Sequence, residues 1–216
     1  MSMRARRIAD GLFAIQMGCV LLFGVTQISL MWKTTEGVSL TWFVFWAIFL
    51  GINLVLAVRA HQVQPSRVTS QTVFTYAAWL TVLAAGLGVL VWRSLGAWYL
   101  VDTVNVIVSG LGIAVTYLLG RRHGLGFADP MVRGWLAVFF KATPQLTLAW
   151  HITQVGGAGL APIAIFSGHA TICIRIGQLY FSIREAGWDR NRIGSAISEI
   201  ANEVSWIITT AVWLVT

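Results

Sequence analysis

The chain has 216 residues, of which 57% are hydrophobic and 11% charged, against roughly 25% charged in an ordinary soluble domain. Its mean hydropathy is +0.75 and its formal charge +7. These values exclude a water-soluble globular protein, a disordered chain and a coiled coil. A bilayer span takes about 20 apolar residues, so seven spans use about 140 and leave short loops with no room for a soluble domain.

An Arg-rich start, Arg4, Arg6 and Arg7, precedes the first apolar run at 8–31, which Gln16, Thr26 and Gln27 interrupt. The run is long for the apolar part of a cleavable leader and no small-residue cleavage site follows it, so a membrane helix is expected there. Further helices are expected at 40–58, 72–92, 97–119, 132–152, 160–183 and 195–216. The gaps carry the turn formers and charges, as in Thr34-Thr35-Glu36-Gly37, Gln64-Pro65-Ser66 and Gly187-Trp188-Asp189. The runs lack the strict alternation of a membrane barrel, and open sheet edges are not tolerated in lipid. The expected class is an all-α integral membrane protein with seven transmembrane helices. Cys19 and Cys173 fall inside apolar runs, which does not suit a disulfide framework.

The charges sort by side. Arg4, Arg6, Arg7, Arg59, Arg67, Arg121, Arg122, Arg133, Arg184, Arg190 and Arg192 fall on the N-terminal side, and Lys33 and Arg93 on the other, eleven against two. The positive-inside rule then puts the N-terminus in the cytoplasm and Thr216 outside, with a bacterial inner (plasma) membrane as the expected location. The same pattern argues against a nucleic-acid partner, because the basic residues form a comb of short loops rather than a patch. Trp32, Trp42, Trp92, Trp98, Trp150 and Trp213 fall near outer ends and Trp135 and Trp188 near inner ends, as an aromatic belt requires. Trp46, Trp79 and Trp206 fall deeper, either as core packing or as walls of a solute cavity.

A long-period repeat relates helix one to helix five. The stretch from Phe23 to Lys33 aligns with that from Phe140 to His151, so that Gln27 falls on Gln145 and Trp32 on Trp150. Both stretches lead into a turn, Glu36-Gly-Val-Ser-Leu40 and Gly156-Gly-Ala-Gly-Leu160, and then into another apolar run. Two parallel three-helix bundles joined by a linker helix is the simplest reading: residues 1–96, then the linker at 97–123, then 124–216. Such a duplication places a solute site between the halves near mid-membrane.

Thr143-Pro144-Gln145, with its partial echo Thr26-Gln27, carries a family resemblance. The chain resembles the PQ-loop repeat membrane proteins of the seven-helix, SWEET-like and cystinosin-like superfamily, through the motif, the repeat and the helix count. Lys141-Ala-Thr-Pro144-Gln145 resembles the Lys-x-x-Pro-Gln of the cystinosin-like amino-acid transporters, although the aspartate that they use in the next helix is missing here. Arg175-Ile-Gly-Gln178 is similar to an Arg-Ile-x-x-x-Gln pattern in PQ-loop proteins that assist use of lipid-linked mannose, with the Gln one place early. Asn202 resembles the cavity asparagine of SWEET transporters, while Thr75 and Tyr76 stand near its missing counterpart. The chain departs from the family in having Thr26 where the first Pro belongs and in its expected N-in orientation.

The resemblance implies a transporter, uniporting or proton-coupled, that moves a small polar solute such as a sugar or an amino acid by alternating access. The alternative is a non-transport membrane factor or receptor, for example an accessory to lipid-linked sugar use. A retinal photoreceptor is disfavoured because no Lys falls in helix seven.

Pro144 removes a helix hydrogen bond and bends helix five, and with Gln27 and Gln145 it is the candidate hinge. Lys141 lies too deep for easy snorkelling and needs a partner, a solute carboxylate or a proton role. Arg175 and Glu203 match in depth, and Glu199 and Glu203 share a helix face with Asn202 beside them. These three form a candidate ion pair or proton-coupling group. Asn53, Trp79, Lys141, His169, Asn202 and Trp206 are the candidate solute contacts. Asp102 and Asn105 are expected at the outer interface as solvated residues or a cap. No metal ligand set, cofactor site or catalytic constellation is expected, so the chain does not read as an enzyme. The expected partners are the solute and membrane lipids, and self-association into a homo-oligomer is compatible with the sequence.

Overall fold

The computed structural model describes residues 3–94 and 98–216. The expected boundary between the first bundle and the linker, at 96 and 97, lies outside the described residues, as do the side chains of Arg4, Arg6 and Arg7. The regular structure of the described residues is all helical, without strands: α1 (Met3–Met31), α2 (Leu40–Val63), α3 (Arg67–Ser94), α4 (Leu100–Arg122), α5 (Pro130–Ala137), a π-helical turn (Val138–Ala142), α6 (Thr143–Val155), α7 (Pro162–Ala186) and α8 (Arg190–Val215). The segments α5, π turn and α6 run on as one broken rod, so the seven expected helices all have counterparts. The ends toward the chain's start are longer than hydropathy alone predicts, because α2 runs on to Val63 and α3 already begins at Arg67.

Local chemistry sets the helix starts. Ser39 Oγ accepts from the Trp42 N–H at the head of α2 (3.2 Å), and Asp189 Oδ1 from the Arg192 N–H at the head of α8 (2.7 Å). Asp129 accepts from the Met131 and Val132 N–H groups just ahead of α5, whose first residue is Pro130. Partial burial pushes the Asp129 carboxyl up, but the Met131 and Val132 N–H groups and the Arg190 guanidinium together hold it below the ordinary 3.8. Its stabilising contribution is therefore complete above that value and is lost as pH falls through the lowered one. Asp129→Ala is expected to cost about 1 kcal/mol at pH 7. The gap between the variant and the parent should close in acid, as thermal melts in detergent from pH 7 to pH 3 will show.

Four helical stretches are long and apolar enough to cross a membrane: Asp10–Met31, Leu40–Val63, Arg67–Arg93 and Leu100–Arg122. The broken rod, α7 and α8 carry more charge, including Arg133, Lys141, Arg175, Glu199 and Glu203. Helix α3 packs against both α1 and α2, and α8 against α5, α6 and α7. These two groups meet where α1 packs on α7 and where α2 packs on the π turn and α6. Helix α4 lies along the broken rod and presents Ile107, Leu111, Val115 and Leu118 outward. The end of the molecule where α1 and α8 begin is here the N-terminal face, and the opposite end the C-terminal face.

Glycine permits the closest helix contact. Gly134 of α5 and Gly194 of α8 face each other so tightly that a Cβ on either would collide with the backbone of the opposite helix. Gly37, at φ +73°, lies against the Gly156 backbone at the C-terminal face, and Gly159 N–H donates to the Glu36 carbonyl (2.8 Å). The two turns that the repeat aligns thus touch each other.

Candidate functional site

Between the two helix groups lies a cavity walled by aromatic rings. Trp46 packs on Trp79 (centroids 5.2 Å apart), and Phe23 meets both edge-on at 5.9 and 5.2 Å. Above them Trp42 stacks on Trp206, 5.8 Å apart with planes 15° from parallel, joining α2 to α8 across the interface. Trp42 is only 1% exposed, so it belongs to the core and not to the aromatic belt expected for it. Its place at the first turn of α2 is near a membrane end, but its ring turns inward onto Trp46 and Trp206. Trp32, Trp92, Trp98, Trp135, Trp150 and Trp188 are exposed.

The broken rod supplies the polar wall. Pro144 has no N–H for the Phe140 carbonyl, and the turn before it widens so that the Thr143 N–H bonds the Val138 carbonyl instead. A π turn thus stands where a simple kink is expected. The Gln145 side chain is committed to α8: Nε2 donates to Asn202 Oδ1 (3.1 Å), and Ser205 Oγ donates to Oε1. Thr209 Oγ1 donates to the Gln145 carbonyl (2.9 Å). Asn202 and Gln145 also line the cavity with Thr171 and Lys141. Gln27, its sequence counterpart, does something different. Its Nε2 donates to the Gly159 carbonyl (2.7 Å) and its Oε1 accepts from Ala161 N–H (3.0 Å), clasping the loop ahead of α7.

The charges pair differently from the depth match read in the sequence. Arg175 Nη1 binds Glu199 Oε1 (3.2 Å), not Glu203. Glu203 binds His169 Nδ1 (2.7 Å), and His169 Nε2 meets Thr210 Oγ1 (2.9 Å). Helices α7 and α8 run antiparallel, so the six residues from His169 to Arg175 carry the partner back along α8 from Glu203 to Glu199, one turn nearer the N-terminal face. Arg175 also lies 6.0 Å from the Tyr76 ring centroid. Lys141 is buried and lies 5.7 Å from the Phe49 ring centroid. Arg133, counted above with the basic comb and at the start of the expected helix 132–152, sits within α5 and turns inward to donate to Asn53 Oδ1, while its Nε is buried without a partner.

Two recesses, one mainly polar and one mainly apolar, lie beside the central cavity on the side of the N-terminal face, and Tyr76 and Arg175 border all three spaces. One recess runs between α2, α5 and α8, past Asn53, Arg133, Ser195 and Glu199. The other, larger one runs between α1, α3 and α7, past Leu12, Gln16, Thr75 and Gln178. The central space itself is narrow, with about 40 Å³ open to the centre of a water molecule, room for roughly three waters.

Toward the C-terminal face the halves are tied together. The Gln27 clasp and the Trp42–Trp206 stack make the tie, and a bond from Trp213 Nε1 to the Gly157 carbonyl (3.2 Å), within the second group, also lies there. So does a buried network around Asp102, which accepts from Thr41 Oγ1 (2.7 Å), Ser39 Oγ (3.1 Å) and Tyr99 N–H (3.1 Å). Asn105 donates to Thr41 (2.8 Å) and accepts from Ser109 (2.9 Å). Asp102 and Asn105 are 2% and 0% exposed, which corrects their expected place at a solvated interface. Their face of α4 turns toward α2, and the hydroxyls at the head of α2 replace water.

The candidate solute contacts therefore divide. Trp79, Lys141, Asn202 and Trp206 line the central cavity. Asn53 lies in the recess beside Arg133, and His169 and Glu203 lie along the α7–α8 seam outside these spaces. Arg133 and Thr171 join the site without having been picked out as solute contacts, and so does Tyr76, noted above only as a neighbour of the missing asparagine counterpart. Arg133 had a usable signal, since it falls four residues after the helix-capping Asp129 and hence one turn inside a helix. No family model matches the chain, and comparison with curated proteins and with solved structures also finds no match.

Proposed function

We propose that this protein is a seven-helix membrane transporter moving a small polar solute by alternating access, with its N-terminus on the cytoplasmic side. In this reading α1–α3 and the group from α5 to α8 are two parallel three-helix bundles, α4 is the linker, and the whole has the PQ-loop, SWEET-like architecture. The third helix of each group packs between the other two, which supports the duplication. The three charge-bearing rods cross the membrane in company with the four apolar helices, their polar groups turned to one another and to the cavity.

The single observation that carries the reading is an aromatic-walled cavity between the halves, bordered by polar side chains, with recesses beside it toward one face and ties between the halves at the other. Transport requires the C-terminal ties to part while the N-terminal recesses close. The π turn before Pro144 is the place for that bend, since its wider hydrogen-bond pattern has slack that a regular helix lacks.

Counterflow in proteoliposomes with labelled glucose, alanine and lactate tests the proposal. Exchange of one of them supports a transporter, whereas binding without exchange of any favours a receptor or accessory factor. Pro144→Ala is expected to express normally and to slow exchange on the order of tenfold, equivalent to ~1.4 kcal/mol on the barrier. Unchanged exchange in that variant removes the hinge role.

A further inference from the structure

The charge balance of the cavity points to the kind of solute, given the transporter reading. The central cavity and the recess past Asn53 hold three cations, Arg133, Lys141 and Arg175, and one carboxylate, Glu199, while Glu185 stands exposed at the other recess. Glu199 Oε1 is taken by Arg175, while its Oε2 is buried without a hydrogen-bond partner and the carboxylate attracts Lys141 from beyond 4 Å. Among the described residues no carboxylate lies within 4 Å of the Lys141 ammonium or of the Arg133 guanidinium. Glu203, the remaining carboxylate at this depth, is held by His169 on the α7–α8 seam. Two positive charges are thus left over at the interface of the halves, and one of them, Lys141, is 4% exposed.

An unpaired charge inside a membrane protein is costly unless something of opposite sign occupies the space beside it. A neutral sugar leaves both charges unpaired, and a zwitterion brings as much positive charge as negative. An anion neutralises one. The approach is graded in the same sense, since Arg133 lies at the outer recess and Lys141 eight residues further along the rod, ~12 Å deeper. The exposed arginines of the N-terminal face, such as Arg59, Arg121, Arg122 and Arg190, add a field that draws anions toward the recesses. The deep end is narrow and walled by Trp46, Trp79 and Trp206, which suits a few-atom apolar body behind the charged group.

We infer that the solute is a small organic anion whose oxyanion group, a carboxylate or a phosphate, seats on Lys141 after passing Arg133. Helices α6 and α8 then meet around a neutralised site, and Gln145 and Asn202 stand beside it to donate or accept a further hydrogen bond.

Proteoliposome uptake of lactate, glycerol phosphate, glucose and alanine, each labelled, tests this. Uptake of lactate or of glycerol phosphate is expected, and the one carried identifies the oxyanion. Lys141→Met is expected to lower that uptake at least tenfold. Arg133→Gln is expected to raise KM several-fold with little change in kcat, because it guides the solute without holding it at the seat. If Lys141→Met fails to fold, the Arg133→Gln profile and the thermal shift of the wild-type protein by lactate or glycerol phosphate, against glucose, decide. Uptake of glucose or alanine with neither anion carried overturns the anion assignment and leaves the transporter reading standing. Anion uptake unchanged in both variants overturns the seat on Lys141. No uptake of any of the four overturns the transporter reading and this inference with it.

Discussion

Valine at position 194 is expected to abolish stable assembly of the protein. Gly194 and Gly134 let the backbones of α8 and α5 touch, and a Cβ at either position would strike the opposite main chain, which cannot move aside as a flexible side chain can. The same two helices carry Glu199, Asn202, Arg133 and, through the rod, Lys141, so separating them also opens the site. Overpacking costs ordinary cores about 1–3 kcal/mol. Here the obstacle is backbone, and a loss above 3 kcal/mol is expected, seen as aggregation on size-exclusion chromatography in detergent. Gly51 of α2 provides the control, because nothing lies within 4 Å of a Cβ placed there. Gly51→Ala is expected to be neutral or to gain up to ~1 kcal/mol from helix propensity. A monodisperse Gly194→Val protein with wild-type melting would show that the α5–α8 contact is looser than described.

Glu199→Leu is the second substitution with a large expected effect, a loss of about 3 kcal/mol, the lower end of the cost of breaking a buried ion pair. The deletion leaves the Arg175 guanidinium without its carboxylate between α7 and α8. The lower end applies because the Arg175 side chain remains 27% exposed, toward the cavity and recesses, and keeps some water. The double variant Arg175→Met/Glu199→Leu is expected to recover most of the loss, since an apolar pair of similar volume removes both desolvation penalties. Apparent melting temperatures at a fixed scan rate measure both. A double variant as unstable as the single one would mean that Glu199 acts through groups other than Arg175. Glu203→Gln provides a comparison within the same helix face, because the amide that replaces the carboxylate can still hydrogen-bond His169 Nδ1.

Much of the helix plan was legible in the chain. Apolar runs without alternation mark helices, and each expected helix has its counterpart. The limits were less legible where tertiary contacts carry a helix past its apolar run. The first turn of α3 is polar, yet it is helical and bound to α1, with Arg67 2.7 Å and Gln71 3.1 Å from Asp10. Hydropathy records only what a residue prefers as surroundings, so it marks the apolar middle of such a helix and misses its tied end. The π turn was unreadable for a related reason. Pro144 announces a lost hydrogen bond, but whether the helix kinks or widens depends on the neighbours against which it packs.

The candidate site was legible as an inventory of polar residues in apolar helices, not as a set of pairs. Gln27 and Gln145 occupy equal places in the repeat, yet one clasps a loop and the other binds Asn202 and Ser205 on α8. Arg175 and Glu203 match in depth as counted from helix ends, yet the ion pair forms with Glu199. Trp42 sits at a helix end like its belt neighbours, yet its ring is in the core.

What the chain by itself determined is composition along an axis: a helical protein with four helices apolar enough for a membrane, polar groups interrupting the others, and basic residues concentrated toward one side. Hydrophobicity and helix period are properties of local sequence, and they set where a residue stands along a helix. Tertiary structure decided the rest. It paired Arg175 with Glu199 and not Glu203, it set Gln145 and not Gln27 on the cavity wall, and it placed Lys141 at the central cavity and Arg133 at the adjoining recess. The physical reason is that helix rotation and register, which decide which side chains meet, come from packing such as the Gly134–Gly194 contact, and that contact joins residues 60 positions apart in the chain, which no local sequence property relates.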